Sequence, residues 1–338
     1  MTAAAPVGVA VIGLGIGEQH ARAFAADPRA TVRWLHDLDP ERALALSRAL
    51  PGARPSPGID AILADPGTGI VSIASFDQDH FGQAMAALAA GKHVFVEKPL
   101  CRNQDELAQL KQRWMESGGR LKLGSNLILR AAPLYRWLKG RIEAGELGRL
   151  YALDGDYLYG RLHKITGGWR GAVEDYSVML GGGVHMVDLM LWLSGERPRS
   201  VTCAGNRICT EGSGFAADDF QAATLQFDSG MVGRITANFG CVHRHHHVLR
   251  VFGTQASVLY DDAGARIHRS RDPAIPAEPV AEPPLPAGKG DLIPDFMDAV
   301  AGAPGYEQHT QSILDGIAVC LASDRAARSG KTEIIEYV

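Results

Sequence analysis

The chain has 338 residues, a net charge of −4 and a pI near 6.3. With 46% hydrophobic and 21% charged residues it reads as a globular protein long enough for two domains. The charge argues against a nucleic-acid footprint, no apolar run reaches the length of a membrane span, and the start, MTAAAPVGVAVIGLG, lacks the basic region of a signal peptide and reads as a tail entering a buried strand.

Strands are expected at 7–12, 31–35, 70–75, 93–97 and 120–125, separated by helices at 18–26, 40–50, 81–90 and 104–117. Such alternation implies βαβ units and a parallel sheet. The second half changes texture, with strand-like runs at 150–159, 200–203, 222–227, 231–239, 248–251, 257–260 and 266–268. Turn signals such as Asp228-Ser229-Gly230 join them, which suits hairpins and a mostly antiparallel sheet. A helix at 184–193 is expected to pack on that sheet. Residues 272–290 hold six prolines and read as irregular, and helices at 292–301 and 310–329 close the chain.

Gly13, Gly15, Ile16 and Gly17 lie between the first strand and its helix. Glycines there permit a tight turn and close approach to a pyrophosphate, which the helix N-terminus then faces. Twenty residues beyond Gly17, Asp37 ends the second strand. A carboxylate at that place accepts hydrogen bonds from the adenosine ribose and repels a 2′-phosphate, so NAD is the expected cofactor. Asp39 is an alternative ribose ligand, and Arg42 keeps NADP open.

Glu97-Lys98-Pro99 ends another strand, where open α/β sheets bind ligands. A lysine there can hydrogen-bond a substrate hydroxyl and stabilise an alkoxide. Farther on, GGGVHMVD places His185 and Asp188 three residues apart, on one helix face. Histidine suits the proton transfer of alcohol oxidation. The three preceding glycines suggest a backbone held close to something.

In this order the motifs resemble the Gfo/Idh/MocA oxidoreductase family: the Gly13–His20 turn, AMAALAAGKHVFVEKPL at 84–100, the GELG turn at 145–148 and GGGVHMVD at 181–188. The resemblance implies an α/β chain. A Rossmann domain (1–125) would precede an α+β domain (126–338) built on an open, mostly antiparallel sheet used for substrate binding and for homodimer or homotetramer contacts. The terminal helices are expected to pack back on the first domain. It also implies that Lys98 and His185 are catalytic, that Pro99 is cis and that Asp188 contacts substrate. One departure stands out: many polyol dehydrogenases of the family carry an aspartate four residues before the histidine, and here that residue is Gly181. Asp175 or Asp188 would then have to orient the imidazole, and Lys98 or Tyr176 are alternative bases. This favours a sugar or nucleotide-linked sugar over a polyol as substrate.

Further expected cofactor contacts are Ser75, Asp77, His80 and Glu97. Further substrate contacts are Asn126, Arg161, Trp169 and Arg170, with Arg130, Tyr159, His163 and Lys164 nearby. On a strand, Cys241, His243, His245 and His247 would share a face. That run reads as a sheet surface, a subunit contact or an anion site rather than as a metal centre. Five scattered cysteines suggest reduced thiols and a cytoplasmic protein. The expected activity is hydride transfer between NAD(H) and a secondary alcohol or ketone. The alternatives are a lyase or glycosidase with transient oxidation by NAD, and a non-catalytic NAD-binding regulator.

Overall fold

A computed structural model describes residues 5–173 and 175–338, so the first four residues of the expected tail lie outside the described residues. Two units emerge. The first comprises the chain up to Ile128 with Pro286–Leu314 and Val338, and the second comprises Leu129–Leu285 with Asp315–Tyr337. Residues 286–314 thus return to the first unit rather than following a single cut at 125.

The first unit holds six parallel strands: β1 (Val7–Ile12), β2 (Ala30–His36), β3 (Arg54–Pro55), β4 (Thr68–Ile73), β5 (His93–Val96) and β6 (Leu123–Ser125). Helices α1 (Gly17–Ala26), α2 (Pro40–Ala49), α3 (Ile59–Ala64), α4 (His80–Ala89) and α5 (Gln104–Glu116) connect them in turn. The order β3-β2-β1-β4-β5-β6 is that of a doubly wound dinucleotide-binding sheet. Val9, Ala10 and Val11 are fully buried, as a strand covered on both faces requires. Asp39 accepts from Glu41 N at 3.1 Å and caps α2, whose first residue is Pro40. That cap ties Asp39 to the start of α2.

The second unit begins with α6 (Pro133–Glu143) and a sheet of nine strands. These are β7 (Leu150–Leu158), β8 (Pro198–Asn206), β9 (Phe220–Phe227), β10 (Val232–Asn238), β11 (His246–Gly253), β12 (Ser257–Asp261), β13 (Gly264–His268), β14 (Glu278–Pro279) and β15 (Glu333–Ile334). Their order is β14-β13-β12-β11-β7-β10-β9-β8-β15, and every pairing is antiparallel except β7 with β10. A short helix α7 (His163–Thr166) lies between β7 and the segment that leads to α8 (Val184–Ser194). Helix α8 is apolar nearly all round and buried, so it packs across the sheet. Gly155 and Gly233 make room for it, since a Cβ on them would sit 3.1 Å from Met186 Cβ and 2.4 Å from Met190 Sδ.

Helix α9 (Ile293–Val300) and the start of α10 (Tyr306–Ser329) complete the first unit. Phe296 packs on Phe95 at 5.3 Å between ring centres, and Gly124 leaves space for the Tyr306 hydroxyl. The proline-rich stretch forms only the two-residue β14. The histidine run departs from expectation: residues 241–245 form no strand, and β11 starts at His246. His243 therefore turns to Asp262 at 2.9 Å, while His245 and His247 both lie on Tyr157.

Candidate functional site

The carboxyl ends of β1 and β4, where the strand order reverses, form the switch point at which such sheets bind ligands. Gly13 adopts φ +81°, and a Cβ on it would strike Ala74 O at 2.4 Å and Ser75 N at 2.6 Å, so only glycine closes this turn. Gly15 faces open space, whereas Gly17 packs on Val11 and Ala74. Ile16 precedes α1 without any side-chain cap, which leaves the first amides of the helix for an anion. Asp37 ends β2 as expected from the spacing, and its carboxylate accepts from Leu14 N at 2.6 Å and Asp39 N at 2.9 Å. An uncapped helix start, a glycine cradle and a fixed carboxylate have the chemistry that the pyrophosphate and ribose of NAD would need.

A second group gathers at the ends of β5 and β6. The peptide between Lys98 and Pro99 is cis. Lys98 is half-buried, and its amide donates to Glu97 Oε2 at 3.2 Å. Glu97 Oε1 accepts from Asn126 Nδ2 at 2.7 Å and lies 3.5 Å from His20 Nε2. Burial alone would raise the pKa of Glu97, but His20, the Lys98 charge and Asn126 together hold it well below the usual carboxylate range. Asn126 Nδ2 also meets His20 Nε2 and Lys289 O, while Asn126 Oδ1 and Ser125 Oγ are buried without partners.

Two expected contacts in this unit have structural employment. His80, expected at the cofactor, is 1% exposed, with Nδ1 2.8 Å from Pro99 O and Nε2 3.2 Å from Ser75 O. It ties the Lys98–Pro99 turn to the end of β4 and so positions that turn. Ser75 Oγ donates to Gln83 at 2.7 Å, leaving its backbone beside Gly13, and Asp77 sits in the same loop at 9% exposure.

In the second unit a π-helical turn, Met179–Gly183, leads into α8 and His185. The glycine run is explained by close side-chain neighbours. A Cβ on Gly181 would lie 2.1 Å from the Tyr176 hydroxyl, one on Gly182 2.3 Å from Tyr157, and one on Gly183 2.5 Å from Met179 Sδ. His185 is 7% exposed and stacks on Tyr157 at 6.0 Å between ring centres, with His247 edge-on at 6.3 Å.

Asp188, expected at substrate, is instead 1% exposed and paired with Arg130 through two hydrogen bonds of 2.8 and 2.5 Å. Burial pushes its pKa up despite Arg130 beside it. Both carboxylate oxygens accept from the Arg130 guanidinium. Asp175 is exposed with φ 55°. Arg161 lies over the Tyr159 ring at 5.6 Å, and Arg170 over Trp169 at 4.4 Å. Among the described residues no three His, Cys, Asp or Glu side chains gather to hold a metal ion.

Sequence reasoning missed His20 as the support of Glu97, Tyr157 as the face on which His185 rests, and Arg130 as the partner of Asp188. His20 had a signal, since it shares a helix face with Gly17, Ala21 and Phe24, all buried. The pairing of Arg130 with Asp188 spans 58 residues and had none.

Residues 7–125 match an oxidoreductase family with an NAD-binding Rossmann fold, and residues 135–259 match the GFO/IDH/MocA C-terminal domain. Inositol 2-dehydrogenase 2 of Saccharopolyspora erythraea is 30% identical over 215 residues, which are 63% of this chain and 60% of that protein. Inositol 2-dehydrogenase of Acidothermus cellulolyticus is 29% identical over 330 residues, covering 97% of this chain and 93% of that one. Levoglucosan dehydrogenase in complex with NADH has a similar fold, with a TM-score of 0.84 at 22% identity over 98% of this chain and 100% of that chain. No helix among the described residues is long and apolar enough to cross a membrane. With both halves matched in order, the chain belongs to the Gfo/Idh/MocA family of NAD-binding oxidoreductases.

Proposed function

We propose that the chain interconverts a secondary alcohol and a ketone on a sugar or a sugar-like ring. Bound NAD supplies the hydride acceptor or donor. In the oxidising direction the C–H hydrogen leaves as hydride and the O–H proton passes to the imidazole of His185. The Lys98 ammonium donates a hydrogen bond to the oxygen as negative charge develops on it.

The observation that carries this reading is the setting of Lys98. It is half-buried at a strand end, beside a Glu97 kept ionised by His20 and Asn126. The Lys98 charge is one of the causes that hold the Glu97 carboxylate low, so the two groups interact at this strand end. His185 is favoured over Tyr176 as the proton carrier because the Tyr176 ring is wedged against Gly181.

Replacing Lys98 by alanine should lower turnover by about 10²–10³-fold, the usual cost of one transition-state donor. NADH binding, followed by fluorescence, should persist. Turnover within a few-fold of the parent would remove Lys98 from this role.

The open face of the second sheet supports self-association. Asp154, Asp156, Arg234, Thr236 and Arg250 line a cavity of about 250 Å³ on it, and Val232 is 42% exposed. Sedimentation at micromolar concentration should give a dimer or tetramer, and Val232→Glu should shift it towards monomer. A parent that sediments as a monomer refutes this assembly.

A further inference from the structure

In the first unit, polar side chains from separate elements meet beneath the strand ends: Ser72 on β4, Glu97 after β5, Asn126 after β6 and His20 on α1. His20 and Ser72 are fully buried and Asn126 is 1% exposed. Backbone bonds pin two of them, since the Glu97 amide donates to Ile73 O at 2.8 Å and the Asn126 amide to Val96 O at 2.9 Å. Those bonds leave open the direction of the Glu97 carboxylate, whose Oε2 accepts from the Lys98 amide.

The hydrogens available fix the protonation of the His20 ring. Asn126 Nδ2 carries two hydrogens and has three neighbours: Glu97 Oε1 at 2.7 Å, Lys289 O at 2.9 Å and His20 Nε2 at 3.1 Å. A carboxylate and a carbonyl only accept, so they take both hydrogens. His20 Nε2 receives none, and it stands 3.5 Å from Glu97 Oε1. A bare lone pair there would face a carboxylate, whereas an N–H donates towards it. The other ring nitrogen leads to the same proton. Ser72 Oγ lies 3.0 Å from His20 Nδ1, and a buried hydroxyl needs an acceptor, which an unprotonated Nδ1 supplies. Phe95 packs edge-on against the imidazole at 5.4 Å between ring centres and holds its plane.

We propose that His20 is a positioning residue for Lys98: its Nε2–H donates to Glu97, whose carboxylate then holds the Lys98 amide and ties that turn to α1. Being fully buried, His20 meets no ligand and acts through Glu97. The proposal rests on the dehydrogenase reading above only for what Lys98 does.

The first test is a nitrogen NMR spectrum of the full chain labelled with 15N-histidine. Two-bond couplings between ring nitrogens and carbon-bound protons show which nitrogen is protonated, and the signals lost in His20→Gln identify this ring. His20 should carry a proton on Nε2, and a bare Nε2 overturns the proposal. The second test is the rate at which acetic anhydride acetylates Lys98, read by mass spectrometry of its peptide. His20→Leu keeps the bulk and removes the donor. The rate should then rise about tenfold, because a turn that loses one charge-assisted hydrogen bond opens that much more often. His20→Gln can donate from its own Nε2 and should stay within about threefold of the parent. A rate unchanged in His20→Leu, or raised as much in His20→Gln, overturns the proposal. NADH binding should persist in both variants, and its loss alongside faster acetylation would make His20 a structural residue and overturn the proposal as well. The parent spectrum decides the point even where His20→Leu fails to fold. Neither test involves turnover, so the two readings fail separately. Turnover that survives Lys98→Ala removes the chemical role of Lys98 and leaves the hold on its turn standing, whereas a bare His20 Nε2 does the reverse.

Discussion

Gly181 and Tyr176 behave as one unit. The Tyr176 ring packs edge-on against Phe215 at 5.9 Å and Phe239 at 6.2 Å between centres, so it cannot swing aside to admit a side chain. At an ordinary helical position Gly→Ala gains up to about 1 kcal/mol. Here the new methyl would fall 2.1 Å from Tyr176 Oη and 2.7 Å from Cζ. Overpacking of that kind costs about 1–3 kcal/mol, and the sign reverses. Gly181→Ala should therefore lower stability in urea unfolding. In a Tyr176→Phe background the loss should be smaller by about 1 kcal/mol, because one clashing atom is gone and sites in contact do not add. Strict additivity of the two changes would mean that Tyr176 does not dictate the glycine. The same contact leaves no space for an aspartate at this position.

At the scale of elements, legibility followed the range of the interactions that define each one. β1 with its glycine turn, the strand leading to Lys98, and α8 were plain because short apolar runs, turn glycines and helical periodicity are local. α6 was missed because it opens on Pro133 after a loop, and only three of its residues, Leu134, Tyr135 and Leu138, are buried. β3 and α3 are two and six residues long, too short for a period to register. The histidine run misled for a different reason. Alternation assigns faces only inside a strand, and the ladder with β7 starts at His246. Within the candidate site, placement at strand ends was readable. What each side chain bonds was not, since His80 lies between the Pro99 and Ser75 carbonyls and Asp188 pairs with Arg130 by contacts that no spacing encodes.

For the whole molecule, the sharpest stability prediction concerns Asp324 on α10, 6% exposed and outside the proposed chemistry. Burial raises its pKa to about 6, with Asp218 adding to the rise, while Ser177, Gln221 and Arg328 oppose it. An acid whose folded pKa exceeds its unfolded value near 3.9 binds its proton more tightly in the native state. Its stabilising effect is fully present below about pH 4 and is lost as pH rises through about 6. The gap of two units corresponds to about 3 kcal/mol between those limits. Carboxylates held low by cations act in the opposite sense. Asp261, paired with Arg266 and lowered to about 2, favours the fold above pH 4 and ceases to do so as pH falls towards 2. Between pH 7.5 and 4.5 the Asp324 effect should therefore dominate the difference between the parent and Asp324→Asn, which keeps the shape and removes the titration. Urea unfolding across that range should show the parent gaining on the variant as pH falls through about 6. The variant should be the more stable of the two at pH 7.5. A difference that stays constant with pH would mean that Asp324 remains ionised in the fold.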